Sequence, residues 1–521
     1  VYYRLIQAIK NYYFSKVTRV WLEKDYPLLF IATYFLMGQG LISAIPLSKL
    51  TLGTYFFICL LLYIYKGTKY FAILMLLGGI SALPLQFRKA PELKGLQYIL
   101  LKVTDIPEYP SAGAIKFRAE ALILKKAHNS INHLTINNKN TFTVICNGVD
   151  LPWENISKIK KGDTAIAWVD IHNIKTPTQP FQYEAYLWRK AISAKCKVRA
   201  IAIVQKSKAN IITTLRDQLI TSTKKWFGDN ETTSLLLAMT LGTETGISGR
   251  TDYAFKTLGL THILVVSGYH FALLFAILLA PAKLLVRLLP IFLTPRWLRK
   301  CALIFVLGLL IFYSFIVGHS ISTSRALIAI ILFVLTILSE RGYSFLNTVI
   351  AALLMLSFIW PGTIFEVGTQ LTFAALLGIY FGIRLSEYFD WSDYLVIPIT
   401  ATLSSQFICL FWFKEFSLWS VPANLLLASL SSVLICNIGL IGIIFYYINS
   451  WLAYIFLWFA WHMTYLFRES ARFISYLNWG VWELALSTRM LLALILIMFG
   501  LYYLSFLLIE YLQARRIFRF K

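Results

Sequence analysis

The stretch LGLTHILVVSGYHFALLFAILL, residues 258–279, is long and apolar enough to cross a bilayer, yet it carries His262, His270 and a Ser267-Gly268 break near its start. A spanning segment satisfies its own backbone only as a helix. A glycine at this point therefore marks a local opening or a close contact between helices. The two histidines are eight residues apart, about 80° around an ideal helix, which disfavours joint ligation of one metal ion. Their simplest role is donation to a neighbouring carbonyl in a packed bundle. A Ser267-His270 nucleophilic pair would need an orienting carboxylate, and none is evident nearby.

Outward from this stretch, the composition repeats its message. Of 521 residues 58% are hydrophobic and 14% charged, which excludes a soluble globular chain. The expected fold class is a polytopic α-helical membrane protein of about 12 spans, some of them re-entrant. The net charge of +24 is what basic cytoplasmic loops produce, so it does not by itself call for an acidic partner. Arg4, Lys10, Lys16, Arg19 and Lys24 precede the first span, and Arg515, Arg516, Arg519 and Lys521 follow the last. Both ends are expected in the cytoplasm, with another inside loop at Lys283, Arg287, Arg296, Arg299 and Lys300.

The expected organisation is a basic N-terminus over 1–27, membrane helices over 28–87, a soluble module over 92–206 and an amphipathic interfacial helix over 207–230. A helical membrane domain over 231–512 and a basic tail over 513–521 complete it. Within the module, QYILLKV, IKFRAEALILKK, FTVI, DTAIAWVDI and VRAIAIV alternate with period two between turn residues. About five such strands fit a small β-barrel of the OB type on the outer face, with a helix over 181–194; any small β-sandwich is the alternative. Lys125, Lys126, Lys158, Lys160, Lys161, Lys195, Lys197 and Arg199 make the module basic and are candidate contacts for a nucleic-acid strand. Trp153, Trp168, Phe117 and Phe142 either stack bases or fill the core. Cys146 and Cys196 lie in this oxidising compartment and are a candidate disulfide.

Several motifs then occur in order. They are PFQYEAYLWRKAI at 180, LGTETGISGRTDYAFKTLGLTHILVVSGYHFALL at 241, GHSISTSRALIAI at 318, PGTIFEVGTQLTFAALLGI at 361 and VPANLL at 421. This series resembles the ComEC-type competence proteins, over about residues 28–510. The resemblance implies a channel in the bacterial inner membrane that imports DNA, as a single strand, during natural transformation. It also implies an extracytoplasmic DNA receptor, a cytosolic helicase or translocase motor and membrane lipid as partners. Many members carry a C-terminal metallo-β-lactamase-like domain. This sequence runs to Lys521 without an HxHxDH cluster, and its seven histidines are scattered. Nuclease activity is therefore expected from a separate protein or from a domain outside this chain. No GxxxxGK[ST] loop is present, so neither a metal, a cofactor nor an enzymatic activity is expected here.

Placed in that family, the break at Ser267, Gly268 and His270 reads as a lining or gate, with His262 beside it. Arg325 sits in an apolar run and requires a counter-charge, carbonyls, water or a phosphate; Glu366 is its expected partner. Gln370 shares a helical face with Glu366, Asn424 joins from VPANLL, and Gly242 and Glu244 belong to a flexible entry segment. Two other classes share these features. A secondary transporter or lipid flippase also uses broken helices and midplane charge, and an intramembrane hydrolase would use Ser267 and His270.

Overall fold

The computed structural model describes most of the chain between Pro27 and Glu483. Residues 1–26, 44–54, 60–68, 87–93, 108–113, 127–133, 137–141, 153–155, 178–181, 208–210, 289–295, 340–344, 477–480 and 484–521 lie outside the described residues, as do several pairs and single positions, Lys158, Glu244 and Ser267 among them. In chain order the elements begin with α1 (Pro27–Ser43), α2 (Lys69–Gln86), β1 (Lys94–Val103), β2 (Ile115–Lys126), β3 (Leu134–Ile136), β4 (Phe142–Gly148), β5 (Thr164–Asn173), α3 (Tyr183–Arg189) and β6 (Ile192–Gln205). They continue with α4 (Ile211–Phe227), α5 (Glu231–Leu241), α6 (Gly249–Thr257), α7 (Thr261–Leu264), α8 (Gly268–Leu288), α9 (Arg296–Val317), α10 (Ile321–Leu338) and α11 (Phe345–Ile359). After a 3-10 turn at Thr363–Phe365 come α12 (Val367–Phe389), α13 (Asp393–Phe413), β7 (Glu415–Ser417) and α14 (Ser420–Ala423). Two π-helical segments, Asn424–Ala428 and Ser431–Asn437, lead into α15 (Ile438–Tyr446), α16 (Ser450–Ser475) and β8 (Val481–Glu483).

The chain is a mostly helical membrane protein. Among the described residues, three helices are long and apolar enough to cross a membrane: Lys300–Val317, Val367–Phe389 and Asp393–Phe413. Shorter apolar helices include His270–Leu284, Ser322–Leu338 and Phe345–Ile359. The stretch at 258–279 is not one continuous helix: the single turn α7 and the long α8 are separate elements.

The chain divides into two compact units, the first made of residues 1–91, 174–193 and 339–370. In this unit α1 and α2 touch backbone to backbone. A Cβ at Gly38 would lie 2.1 Å from the Met75 carbonyl oxygen, and one at Gly78 2.0 Å from that of Phe35, so only glycine fits at either crossing. Ile42, Tyr55, Cys59, Met75, Ala82 and Leu85 form the buried cluster there, with Trp188 packed against it. The helix expected over 181–194 is shorter than that. It stops at Arg189, and Ala191 at φ 60° turns the chain into β6.

The second unit comprises 92–173, 194–338 and 371–521. Its sheet has the order β1-β5-β6-β4-β2-β3, and β1 also pairs with β2. Alternate residues such as Ile99, Leu101, Val144, Ala167, Val169 and Val198 point into one buried cluster. Phe117 and Phe142 belong to it, so these two aromatics are core rather than platforms. The helical part has a separate core, in which Phe255, Phe271, Leu310, Cys436 and Leu440 are fully or almost fully buried.

Candidate functional site

In the second unit the polar helix α6 ends early because its last carbonyls are capped locally. Leu260 N–H donates to Phe255 O at 2.8 Å and Gly259 N–H to Lys256 O at 3.0 Å, with Gly259 at φ 66°. This Schellman-type stop closes α6 and leaves α7 as one turn. There His262 is exposed, with Nδ1 placed 3.2 Å from Gly259 O; facing a carbonyl, that nitrogen carries the proton. Gly259 also lies against a later part of the chain. Its Cβ, if present, would be 2.9 Å from Ser420 Cβ and 3.6 Å from Gln406 Nε2.

Around that contact runs a polar seam between the end of α6, strand β7, the short α14 and the apolar helix α13. Ser417 Oγ donates to Thr257 O at 2.6 Å, Ser420 Oγ to Ser417 O at 2.8 Å, and Asn424 Nδ2 to Ser420 O at 2.8 Å. Gln406 is 7% exposed, and its Oε1 accepts from Ser417 N–H at 3.5 Å. Asn424 opens the first π-helical segment, a local widening that recurs at functional sites.

Other residues expected from the sequence gather at the start of α8 and the end of α9. A Cβ at Gly268 would meet Ala326 Cβ at 3.5 Å, which sets the first turn of α8 on α10 beside Arg325. Buried polar side chains cluster along these elements: His270, Thr323, Ser324 and Arg325. Gly242, at φ 68°, caps α5 and packs against Val317 and Val266. Tyr313 Oη donates to Thr240 O at 2.7 Å, and Arg216 Nη1 to Val317 O at 3.3 Å. Arg216 is thus buried at the carboxyl end of α9, although its helix reads as interfacial; burial lowers its pKa. Ser267 and Glu244 lie outside the described residues.

Glu366 is held differently from its sequence reading. In the first unit Lys190 Nζ lies 2.5 Å from Glu366 Oε1, with side chains 9% and 11% exposed, so the carboxylate assigned to Arg325 is taken by the turn after α3. Arg189 stacks on the Phe365 ring at 5.0 Å, and Gly362, at φ 84°, has no room for a Cβ, which would sit 2.5 Å from Arg189 Cδ. Burial brings the Arg189 pKa down to about 10, with Glu366 opposing the shift. Gln370 Nε2 donates to Ile364 O at 2.9 Å and so braces the 3-10 turn. Two of the sequence motifs, at 180 and 361, therefore meet in one ion-paired seat.

A third polar cluster, at the start of α5, has no counterpart in the sequence reading. Glu231 accepts from Ser248 N–H at 2.9 Å, Ser248 Oγ at 2.5 Å and Arg472 Nη2 at 2.5 Å, and Arg468 Nη1 donates to Thr232 Oγ1 at 2.7 Å. Burial would raise the Glu231 pKa, but the hydrogen bonds from Ser248 and Thr251, with Arg472, outweigh it and bring it from 4.5 to about 2. A depressed carboxylate contributes stability that is complete above about pH 4.5 and lost as pH falls toward 2. The melting temperature of the wild type should therefore drop more steeply between pH 6 and pH 3 than that of Glu231→Gln; equal slopes would exclude this role.

In the β module, Lys195, Lys197 and Arg199 lie on the outward face of β6, and Lys160 and Lys161 are exposed. Lys197 and Lys195 stand opposite Asp170 and His172 on β5, and Lys160 pairs with Asp217 of α4. Trp168 faces outward and packs on Tyr98 of β1, ring centroids 4.3 Å apart. The side chains of Lys125 and Lys126, and Lys158 and Trp153, lie outside the described residues. Cys146 and Cys196 are free thiols here, both buried; burial and the adjoining Cys196 push the Cys146 pKa up. Among the described residues no three His, Cys, Asp or Glu side chains gather to hold a metal ion.

The family described as "Competence protein" matches residues 239–508. The chain is 25% identical over 260 residues to ComE operon protein 3 of Bacillus subtilis (strain 168), which covers 49% of this chain and 32% of that protein. It is 28% identical over 232 residues to an uncharacterised protein of Aquifex aeolicus (strain VF5), covering 44% of this chain and 51% of that one. The alignments thus span about a third and about half of these two relatives' lengths. No solved structure matches the chain.

Proposed function

The chain belongs to the competence protein family, and from that premise we propose that it forms an inner-membrane channel importing single-stranded DNA into the cytoplasm during natural transformation. The observation that carries this reading is the polar seam of Thr257, Gly259, His262, Gln406, Ser417, Ser420 and Asn424, where helices are interrupted beside the apolar helix α13. Irregular backbone at membrane depth is tolerated where protein buries it or where it lines a polar cavity. Arg325 and His270 on neighbouring elements add donors suited to phosphate.

In this reading the module over 92–206 is an OB-like barrel on the outer face that guides the strand. The β1–β2 pairing, added to the order β1-β5-β6-β4-β2, supports closure of the strands into a ring. The outward Trp168–Tyr98 pair beside Lys195 and Lys197 supports stacking with phosphate contact. Both termini lie in the cytoplasm and the membrane domain over 231–512 supplies about 12 spans together with 28–87. Negative-inside potential opposes each phosphate by about 2.3 kcal/mol per 100 mV. A cytosolic helicase or translocase therefore pulls the strand, an extracytoplasmic receptor delivers it, and a nuclease, on a separate protein or on a domain outside this chain, removes its complement.

Labelled-DNA import into a deletion strain complemented with this chain tests the reading. Arg325→Glu should reduce cytoplasmic label by about tenfold or more, the equivalent of about 1.4 kcal/mol, with Arg325→Lys retaining part of it. Import at the wild-type rate by Arg325→Glu, at equal membrane level, would reject a role for this arginine in the path. No import by the wild type would reject the channel.

A further inference from the structure

We propose that the Gln406 carboxamide is a hydrogen-bond donor to the passing strand, a contact that rests on the channel reading and gives it a specific atom. Gln406 stands in α13, a helix apolar enough to span the membrane, and is 7% exposed. The two ends of its carboxamide differ. Ser417 N–H can donate only to an oxygen, so the atom facing it is Oε1 and the other is Nε2. Nε2 points toward Gly259, and none of the described residues provides it with a hydrogen-bond acceptor.

The position of Nε2 suits a moving anion. It is flanked by the α6–α7 break at Gly259, where any larger residue would meet Ser420, and by exposed His262 one turn on. Ser417 and Ser420 spend their single hydroxyl donors, and Asn424 one of its two N–H groups, on backbone carbonyls. Among these four, only the Gln406 amide gives neither of its N–H groups to a described residue. Single-stranded DNA presents phosphoryl oxygens at every nucleotide and carbonyl oxygens on its bases. A neutral amide binds such acceptors without the trapping that a paired charge would bring, and conduction needs sites that release as readily as they bind.

The test uses the full chain in a deletion strain, with labelled DNA at external pH 8. Gln406→Met removes donor and acceptor at similar volume, and Gln406→Glu keeps the acceptor for Ser417 while replacing the donor by a carboxylate. Both should lower import by about tenfold, the loss of one hydrogen bond worth about 1.4 kcal/mol. Import is scored per folded protein at the membrane, because an unpaired carboxylate this deep should itself lower the melting temperature of Gln406→Glu. Wild-type import by Gln406→Met overturns the assignment. Loss in Gln406→Met with full import in Gln406→Glu also overturns it, because the side chain would then act only by holding Ser417. If the wild-type chain itself imports nothing, the channel reading fails and takes this contact with it.

Discussion

Lys190→Met should destabilise the first unit by about 3–5 kcal/mol, the cost of leaving a buried carboxylate without its cation. Lys190 and Glu366 are 2.5 Å apart with side chains about nine-tenths buried, so neither can turn to water without opening the contact. The neighbouring residues close the same seat: Arg189 lies on Phe365, Trp188 enters the cluster around Ile42 and Tyr55, and Gly362 admits no side chain. A melting temperature lower by about 6 °C or more is the expected readout. Lys190→Met with Glu366→Met should regain most of the loss, since two apolar residues can replace a buried pair. A Lys190→Met protein that melts with the wild type would show that the pair carries no load.

Gly378→Leu should be at least as damaging, and for a different reason. Gly378 and Gly382 lie four residues apart on α12, one turn of a helix face pressed against α13. A Cβ at Gly378 would lie 2.6 Å from Thr400 O and 2.8 Å from Ala401 Cα, and one at Gly382 2.4 Å from Thr400 Oγ1. The obstacles at Gly378 include backbone atoms, which cannot rotate away, so the two helices must separate along their length. Overpacking costs about 1–3 kcal/mol where side chains can yield, and more where they cannot. The membrane level and melting temperature should both fall, Gly378→Ala less than Gly378→Leu. Because α13 carries Gln406, DNA import should fall further than the protein level does. A Gly378→Leu protein at wild-type level and melting temperature would mean that the helices are not in contact there.

Which parts of this were legible in the residues follows from the range of the forces involved. Local periodicity is a short-range property, and it located the strands at QYILLKV, IKFRAEALILKK and DTAIAWVDI to within a few residues. The break within 258–279 was also legible, because two histidines and a glycine in an apolar run contradict a plain span. The pattern marks Arg325 as a charge that needs a partner and points to Glu366, whose carboxylate is instead held by Lys190. Arg325 is the nearer basic residue in an apolar run, whereas Lys190 sits in a segment whose pattern says nothing of membrane contact. Gln406, Ser417 and Ser420 carry a weaker signal, single polar residues in apolar surroundings, which does not by itself mark a site. Burial of Arg216 is not legible in the sequence, because an arginine on an amphipathic helix is ordinarily solvated; only the arrival of the α9 carboxyl end beside it makes burial favourable.

By itself the sequence determined that this is a helical membrane protein with an inserted β module, and that its polar interruptions belong to the competence family's motifs. Composition and periodicity act residue by residue along the chain, so no folding is needed to read them. What only the tertiary structure decided is partnership: Lys190 with Glu366, Arg216 with Val317, Gly259 with Ser420 and Gln406. These pairs are separated by more than a hundred residues. Whether a buried charge or amide is satisfied depends on groups brought within about 3 Å by packing, a distance on which the order of residues along the chain is silent.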